Sequence, residues 1–372
     1  MVSRRGQPRY HRLRRLRPNE SLKLTKARSA PRRRPSSNPA PSQLNSSVRR
    51  MDRSPYHLAN VVLNREWREG SAGKVGSRGL VARANWAIRV LSDLGAPPHP
   101  SSRLPNARNL LLGLNNEELI LSPTDSALLE RVTDANKTIW ELFVIANAAL
   151  RRHRVGKPFP LHLLQLALTG ADLTSDDKNN KARNTQFELY VASLLTLGGA
   201  EVQIAEPDLR FLYWGEFLGL AAKRMTSTKA TTLENRLVEA VGQIAAHTGR
   251  GFVAVNVDAF YVGATRAEGL EERARQFNER VAIVSDVVRR RFGPLKAARG
   301  VLIFGHLTSW SFEGEAPSFD TSYPTTFLLI EDEVEPGSRA RGEEFFEGLM
   351  PRIDRELTRL RSNQVDFDLD TV

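Results

Sequence analysis

Two short apolar runs that alternate residue by residue around a glycine constrain this chain more than any other feature. Leu209, Phe211 and Tyr213 share one parity before Gly215, and Leu218, Leu220 and Ala222 share one parity after it. A period of two puts such residues on one face of a pleated strand. The pair predicts a β-hairpin with Gly215-Glu216 as its loop, because glycine supplies the positive φ that a two-residue turn requires. In that register Asp208 is expected opposite Lys223, and Arg210 opposite Ala221. A slip of one residue would exchange the apolar and charged faces, so the facing is strongly specified.

The outward face of this hairpin would carry a carboxylate beside an ammonium group. Phosphodiester hydrolysis uses that pairing. A divalent cation held by carboxylates activates water and neutralises developing charge, and a nearby lysine orients the water or adds to the neutralisation. Magnesium prefers oxygen ligands and keeps several waters, so one or two protein carboxylates suffice.

The surrounding elements fall in a definite order. Asn184–Thr196 reads as a helix carrying Glu188, and Pro207-Asp208 opens the hairpin. Ala221-Ala222-Lys223 lies on the return strand, Leu233–His247 reads as an amphipathic helix carrying Gln243, and Phe252–Asp258 reads as a Val-rich buried strand. Over residues 184–258 this order and these motifs resemble the PD-(D/E)XK nuclease superfamily, the restriction-endonuclease-like proteins. The resemblance implies an α/β fold, a three-layer core whose mixed sheet opens in a β-hairpin. It implies catalytic roles for Asp208, Lys223 and Glu188, with magnesium on Asp208 and Glu188. One departure stands out: Ala221 occupies the position where the superfamily carries Asp or Glu. Three outcomes follow. Asp208, Glu188 and a backbone carbonyl hold the metal; or Glu234 or Glu239 on the next helix supplies a migrated carboxylate, with Gln243 in support; or the fold binds nucleic acid without cutting it. Arg210, expected across from Ala221, disfavours a cation there by like-charge repulsion.

The same residues have plainer readings. Thr185-Gln186-Phe187-Glu188 fits a T-x-x-E capping box, which would give Glu188 a helix-starting role. Asp208 after proline can open a turn. Lys223-Arg224 suits a solvated strand end, and Glu234, Glu239 and Gln243 suit a solvated helix face. Asp258 suits a cap at the end of its strand.

Charge is distributed unevenly. Residues 1–50 hold 15 of the 54 Lys+Arg and one of the 42 acids, which leaves 39 bases against 41 acids in the rest. Residues 1–55 are expected to be a disordered basic arm in which Arg14, Arg15, Arg32, Arg33 and Arg34 contact phosphates by counterion release. Arg224 is a further expected nucleic-acid contact. The chain has no cysteine, which excludes disulfides, zinc fingers and thiol nucleophiles. No apolar run is long enough for a membrane span, and the start lacks a signal peptide's apolar core, so a cytoplasmic protein without a membrane partner is expected.

Residues 56–174 read as a mostly helical domain, 175–335 as the nuclease-like α/β domain, and 336–372 as a C-terminal helix and tail. The expected partner is nucleic acid, with DNA as the leading form. A homodimer or a protein partner through the helical domain stays open. The readings to separate are a magnesium-dependent nuclease with a rearranged site and a catalytically silent nucleic-acid-binding or scaffold protein, including a phage-defence component.

Overall fold

A computed structural model describes residues 58–59, 77–116, 118–122, 124–173, 176, 180–213, 215–225, 227, 229–258, 270–291, 298–311, 318–322, 325–329 and 338–362. The arm and its arginines, Arg14, Arg15, Arg32, Arg33 and Arg34, lie outside the described residues. Among the described residues no helix is long and apolar enough to cross a membrane.

In chain order the elements are β1 (Leu58–Ala59), α1 (Ser77–Asp93), α2 (Arg103–Asn115), α3 (Ser126–Arg154), α4 (Leu161–Ala167), α5 (Lys181–Leu197), β2 (Glu201–Ala205), β3 (Asp208–Tyr213) and β4 (Glu216–Arg224). There follow α6 (Ala230–His247), β5 (Gly251–Asn256), α7 (Leu270–Arg291), β6 (Ala298–Phe304), β7 (Leu307–Ser311), β8 (Ser318–Ser322), β9 (Thr325–Leu329) and α8 (Ser338–Ser362). The main sheet has seven strands in the order β1-β9-β6-β5-β4-β3-β2. It is mixed: β4, β5 and β6 run parallel, and the other neighbours pair antiparallel.

The hairpin forms with the expected faces and a different register. Tyr213 pairs with Glu216 and Leu209 with Leu220, so the loop falls between Tyr213 and Glu216, and Arg210 faces Gly219 rather than Ala221. Glycine takes the second loop position, with φ +80°. The shift from the expected pairing is two residues. An even shift preserves the faces, so Leu209, Phe211, Leu218, Leu220 and Ala222 remain on the core side. Phe211 stacks on Phe252 of β5 with ring centroids 6.4 Å apart. Side chains of this size contribute roughly 1.5–3 kcal/mol each on burial.

Two apolar layers sandwich the sheet. Even-numbered residues of β4 and β5 pack with α3, α5 and α8 in one core. Ala221, Val253 and Val255 pack with Leu233, Leu237 and Ile244 of α6 and Phe277 and Val284 of α7 in the other. Every residue of β5 is buried, as a central parallel strand covered on both faces requires. The helices over residues 77–168 share the first core with the sheet, and residues 52–372 gather into one unit. The expected boundary near residue 175 is therefore not a break in packing. Buried arginines join the layers: Arg152 Nη1 donates to the Val202 carbonyl at 2.7 Å, and Arg103 donates to the carbonyls of Ala167 and Thr169 at the end of α4. Where α3 begins, the Asp125 carboxylate accepts the Leu128 N–H at 3.0 Å and caps the helix.

Candidate functional site at the carboxyl edge of β4

Asp208 is the first residue of β3, and its pairing with Ala205 closes the tight Glu206-Pro207 turn out of β2. That places its carboxylate at the carboxyl edge of β4, where the Ala222 N–H donates to Oδ2 at 2.7 Å. Lys223 follows, with Nζ 3.8 Å from Asp208 Oδ2 and 3.6 Å from Glu239 Oε1 on α6. Both separations exceed a hydrogen bond, so the ammonium lies between two acids without closing on either. The two-residue register shift thus moves Asp208 off the position opposite Lys223 and still leaves the groups paired.

Glu188 reaches the same place from α5. Its carboxyl is pushed up to about 7, first by burial and then by Asp208, with Lys223 opposing and Glu206 adding a little. Asp208 is pushed up to about 6, first by burial; Lys223 and the Ala222 amide pull it back, and Glu206 and Glu239 raise it. Glu188 feels the Asp208 charge, and both acids feel the same lysine. Both carboxyls therefore bind their protons more tightly than free ones do, Glu188 the more so.

The capping-box reading of Glu188 does not survive. The helix begins at Lys181 after Asn180, so Thr185 sits in the second turn, buried, where no N-cap is needed. Glu188 is left with a half-buried position within reach of the Asp208 charge and no helix-starting duty.

Of the residues on α6, Glu239 belongs to the cluster, and Arg236 holds its other oxygen at 3.0 Å. Gln243 lies one turn further on the same face, and its Oε1 is buried without a hydrogen-bond partner. Glu234 lies partly buried in the first turns of the same helix. Ala221 is fully buried in the apolar layer against α6 and α7. Continued by one residue, the observed register sets it across from Asp208, so the place of the missing carboxylate is beside that acid and is filled by a methyl group.

Arg224 is a correction. It points to the α5 side of the sheet, is buried, and has its pKa lowered by burial first and by neighbouring Arg183 next. It lines a cleft with Lys137, Glu141, Arg183 and Gln186 that has room for about one water molecule. A phosphate does not fit there, so Arg224 is not a nucleic-acid contact.

That cleft belongs to a buried polar network which the sequence reading missed. Lys137 on α3 makes an ion pair with Asp258 just beyond β5, and Asn256 donates to the same carboxylate at 2.9 Å. The His306 N–H donates to the other oxygen at 2.7 Å. Burial alone would raise the Asp258 pKa, but Lys137, His306 and Asn256 overcome it and hold it at about 2. Gln186 donates to Glu141 at 2.5 Å on the other flank. The available signal was Lys137 and Glu141, four residues apart on an otherwise apolar stretch of α3. Asp258 joins β5 to the start of β7 and to α3, which is more than the strand-end cap expected of it.

The donor set at Asp208 suits a small hard cation in part. Among the described residues no group of three or more His, Cys, Asp or Glu is placed to hold a metal. Two carboxyls with raised pKa values and a buried amide oxygen without a partner remain, all oxygen donors. Compared with known proteins, the chain matches no family model, no curated protein and no solved structure, so the functional reading rests on geometry.

Proposed function

We propose that this chain is a nuclease-fold protein acting on DNA, with a restriction-endonuclease-like core and magnesium-dependent phosphodiester hydrolysis centred on Asp208, Glu188 and Lys223. The observation that carries the reading is the convergence of these three groups. An α5 acid, separate in sequence, feels the charges of a β3 acid and a β4 lysine that lie 3.8 Å apart at one sheet edge. The elements that bring them there follow in the order helix, hairpin, helix, strand. In a sheet with parallel strands, the crevice outside the carboxyl ends is where ligands bind.

Asp208 and Glu188 would hold magnesium, leaving most of its coordination to water and a phosphate oxygen. A bound ion would supply the positive charge that activates water and stabilises the pentavalent phosphorus. Lys223 donates hydrogen bonds to a non-bridging phosphate oxygen or to the attacking water. Glu239 keeps that ammonium over the site. Gln243 offers an acceptor to the same water. The water oxygen bonds to phosphorus and gives up a proton to solvent, the bond to the leaving sugar oxygen breaks, and that oxygen takes a proton from solvent.

A second reading has its own support. Because Ala221 is packed in hydrocarbon, the site has two acids where the superfamily motif has three. A silent DNA-binding protein would have this appearance. Incubation of plasmid and single-stranded DNA with magnesium or manganese separates the two. The nuclease reading expects cleavage that Asp208→Ala and Lys223→Ala each abolish. Cleavage that survives both substitutions removes these residues from the mechanism, and DNA binding without cleavage under all conditions favours the silent protein.

A further inference from the structure

Beyond the acid–lysine cluster, the outer face of β2-β3-β4 continues into a groove that α6 leaves uncovered. Gln203, Arg210 and Gly219 are register partners in one row across the three strands. Phe217 stands in the next row opposite Leu212. His247 and Thr248, at the end of α6, form the facing wall of a cavity of about 330 Å³ lined by Gln203, Arg210 and Phe217. Gly219 lets the Thr248 wall close onto the sheet: a Cβ on Gly219 would lie 2.2 Å from Thr248 Oγ1.

The lining has a specific chemistry. Phe217 is 55 % exposed and is the one aromatic residue among the large apolar side chains that the described residues leave exposed. Arg210 donates through Nε to the Glu206 carbonyl at 2.5 Å, which anchors the guanidinium at one end and leaves its Nη groups to a ligand. Gln203 offers an amide and His247 a ring nitrogen. An aromatic face, a cation and hydrogen-bonding groups around a cavity of this volume match a nucleobase and its phosphate.

Position selects among ligands. Arg210 is two residues from Asp208 on the same strand face, a separation of about 7 Å. A single nucleotide bridges that distance. A base whose ring lies on Phe217 cannot also be stacked in a helix, so the occupant is an unpaired one. The chain beyond residue 50 is almost neutral, with 39 bases against 41 acids. Recognition there falls to stacking rather than to a basic surface.

We propose that this groove is a subsite for an unpaired nucleotide, stacked on Phe217 and held by Arg210, next to the phosphate presented to Asp208 and Lys223. It rests on the nuclease-fold reading for its neighbour and makes that reading specific: the substrate is single-stranded or locally unpaired nucleic acid.

The test is binding by the full chain, in EDTA, to labelled single-stranded DNA, the same sequence as RNA, and a blunt duplex, at a salt concentration that suppresses binding by the arginine arm. Wild type is expected to bind the single strands more tightly than the duplex. Phe217→Ala should weaken single-strand binding by about 5- to 150-fold, the range for loss of one stacked base, and leave duplex binding unchanged. Phe217→Trp should retain single-strand binding. The arm with the larger Phe217 effect identifies the sugar. Equal losses for single strand and duplex, no loss in Phe217→Ala, or a wild type that prefers duplex would each overturn the proposal. Because no divalent ion is present, the outcomes separate. Phe217-dependent binding by a protein that never cleaves sinks the nuclease reading alone. Cleavage indifferent to Phe217 sinks the groove alone.

Discussion

Replacing Glu188 with glutamine should change how stability responds to pH. The Glu188 carboxyl, raised in the fold from 4.5 to about 7, binds its proton more tightly folded than unfolded. Such a group stabilises the folded state fully below its unfolded pKa, and that contribution is lost as pH rises through the folded pKa. The window runs from 4.5 to about 7. At 1.36 kcal/mol per pH unit, the loss is about 3 kcal/mol above neutrality. Asp208, raised from 3.8 to about 6, loses its contribution over an overlapping window, and the repulsion between the two is counted once for the pair. Glutamine keeps the shape and cannot ionise. Glu188→Gln should therefore match wild type near pH 4.5 and exceed it by up to about 3 kcal/mol at pH 8. Urea unfolding followed by circular dichroism across this range gives both curves, and the titrating groups not coupled to Glu188 cancel in their difference. Magnesium at a hundred times its Kd should add about 2.7 kcal/mol to wild type at pH 8 and nothing to the variant. Parallel stability curves for the two proteins would refute the placement of charge at this site.

Other perturbations reach different parts of the molecule. Lys223→Met removes the charge that pulls Asp208 back, so the Asp208 carboxyl should titrate above about 6, as read by carboxyl-carbon NMR; an unmoved titration would show that the two do not interact. Lys137→Met should cost about 3–5 kcal/mol by leaving the Asp258 carboxylate buried without its cation, and adding Asp258→Asn should recover part of that. Since the Asp258 carboxyl is lowered from 3.8 to about 2, its own contribution is present above 3.8 and lost as pH falls toward 2, which acid titration of wild type against Asp258→Asn would show. Gly251→Ala should prevent normal folding, because its Cβ would sit 1.9 Å from the Gly219 carbonyl oxygen, whereas Gly242→Ala on the open face of α6 should stabilise by about 1 kcal/mol.

The outward parts of this fold were legible because alternation is a local property. Leu209, Phe211 and Tyr213 declare their face whatever the loop does, and the Val-rich β5 declares a strand covered on both sides. The register was not legible to the residue, since a glycine at either loop position satisfies a turn. The edge strand β2 left no clear pattern: Glu201 and Gln203 are exposed and Val202 alone is deeply buried. The segment from Gly300 to Trp310 reads as one strand, but the chain turns out of the sheet at Gly305-His306 so that the His306 amide can meet Asp258. For the site, the Asp208–Lys223 pair was readable because hairpin neighbours are close in sequence. Glu188 was readable only through the motif order, since its environment depends on how α5 lies on the sheet. The Lys137–Asp258 link was invisible, because its members are 121 residues apart and nothing local marks either as a partner.

That link has a practical consequence for anyone who wishes to study the sheet alone. A polypeptide started near residue 175 would keep every strand of the Asp208 edge yet lose the ammonium that neutralises Asp258, along with the Arg152 that grips β2. It would also strip the hydrocarbon lid from Phe187 and Leu189. Such a fragment should come out of cells as aggregate, and soluble yield from it would say that the helices are ornament rather than foundation.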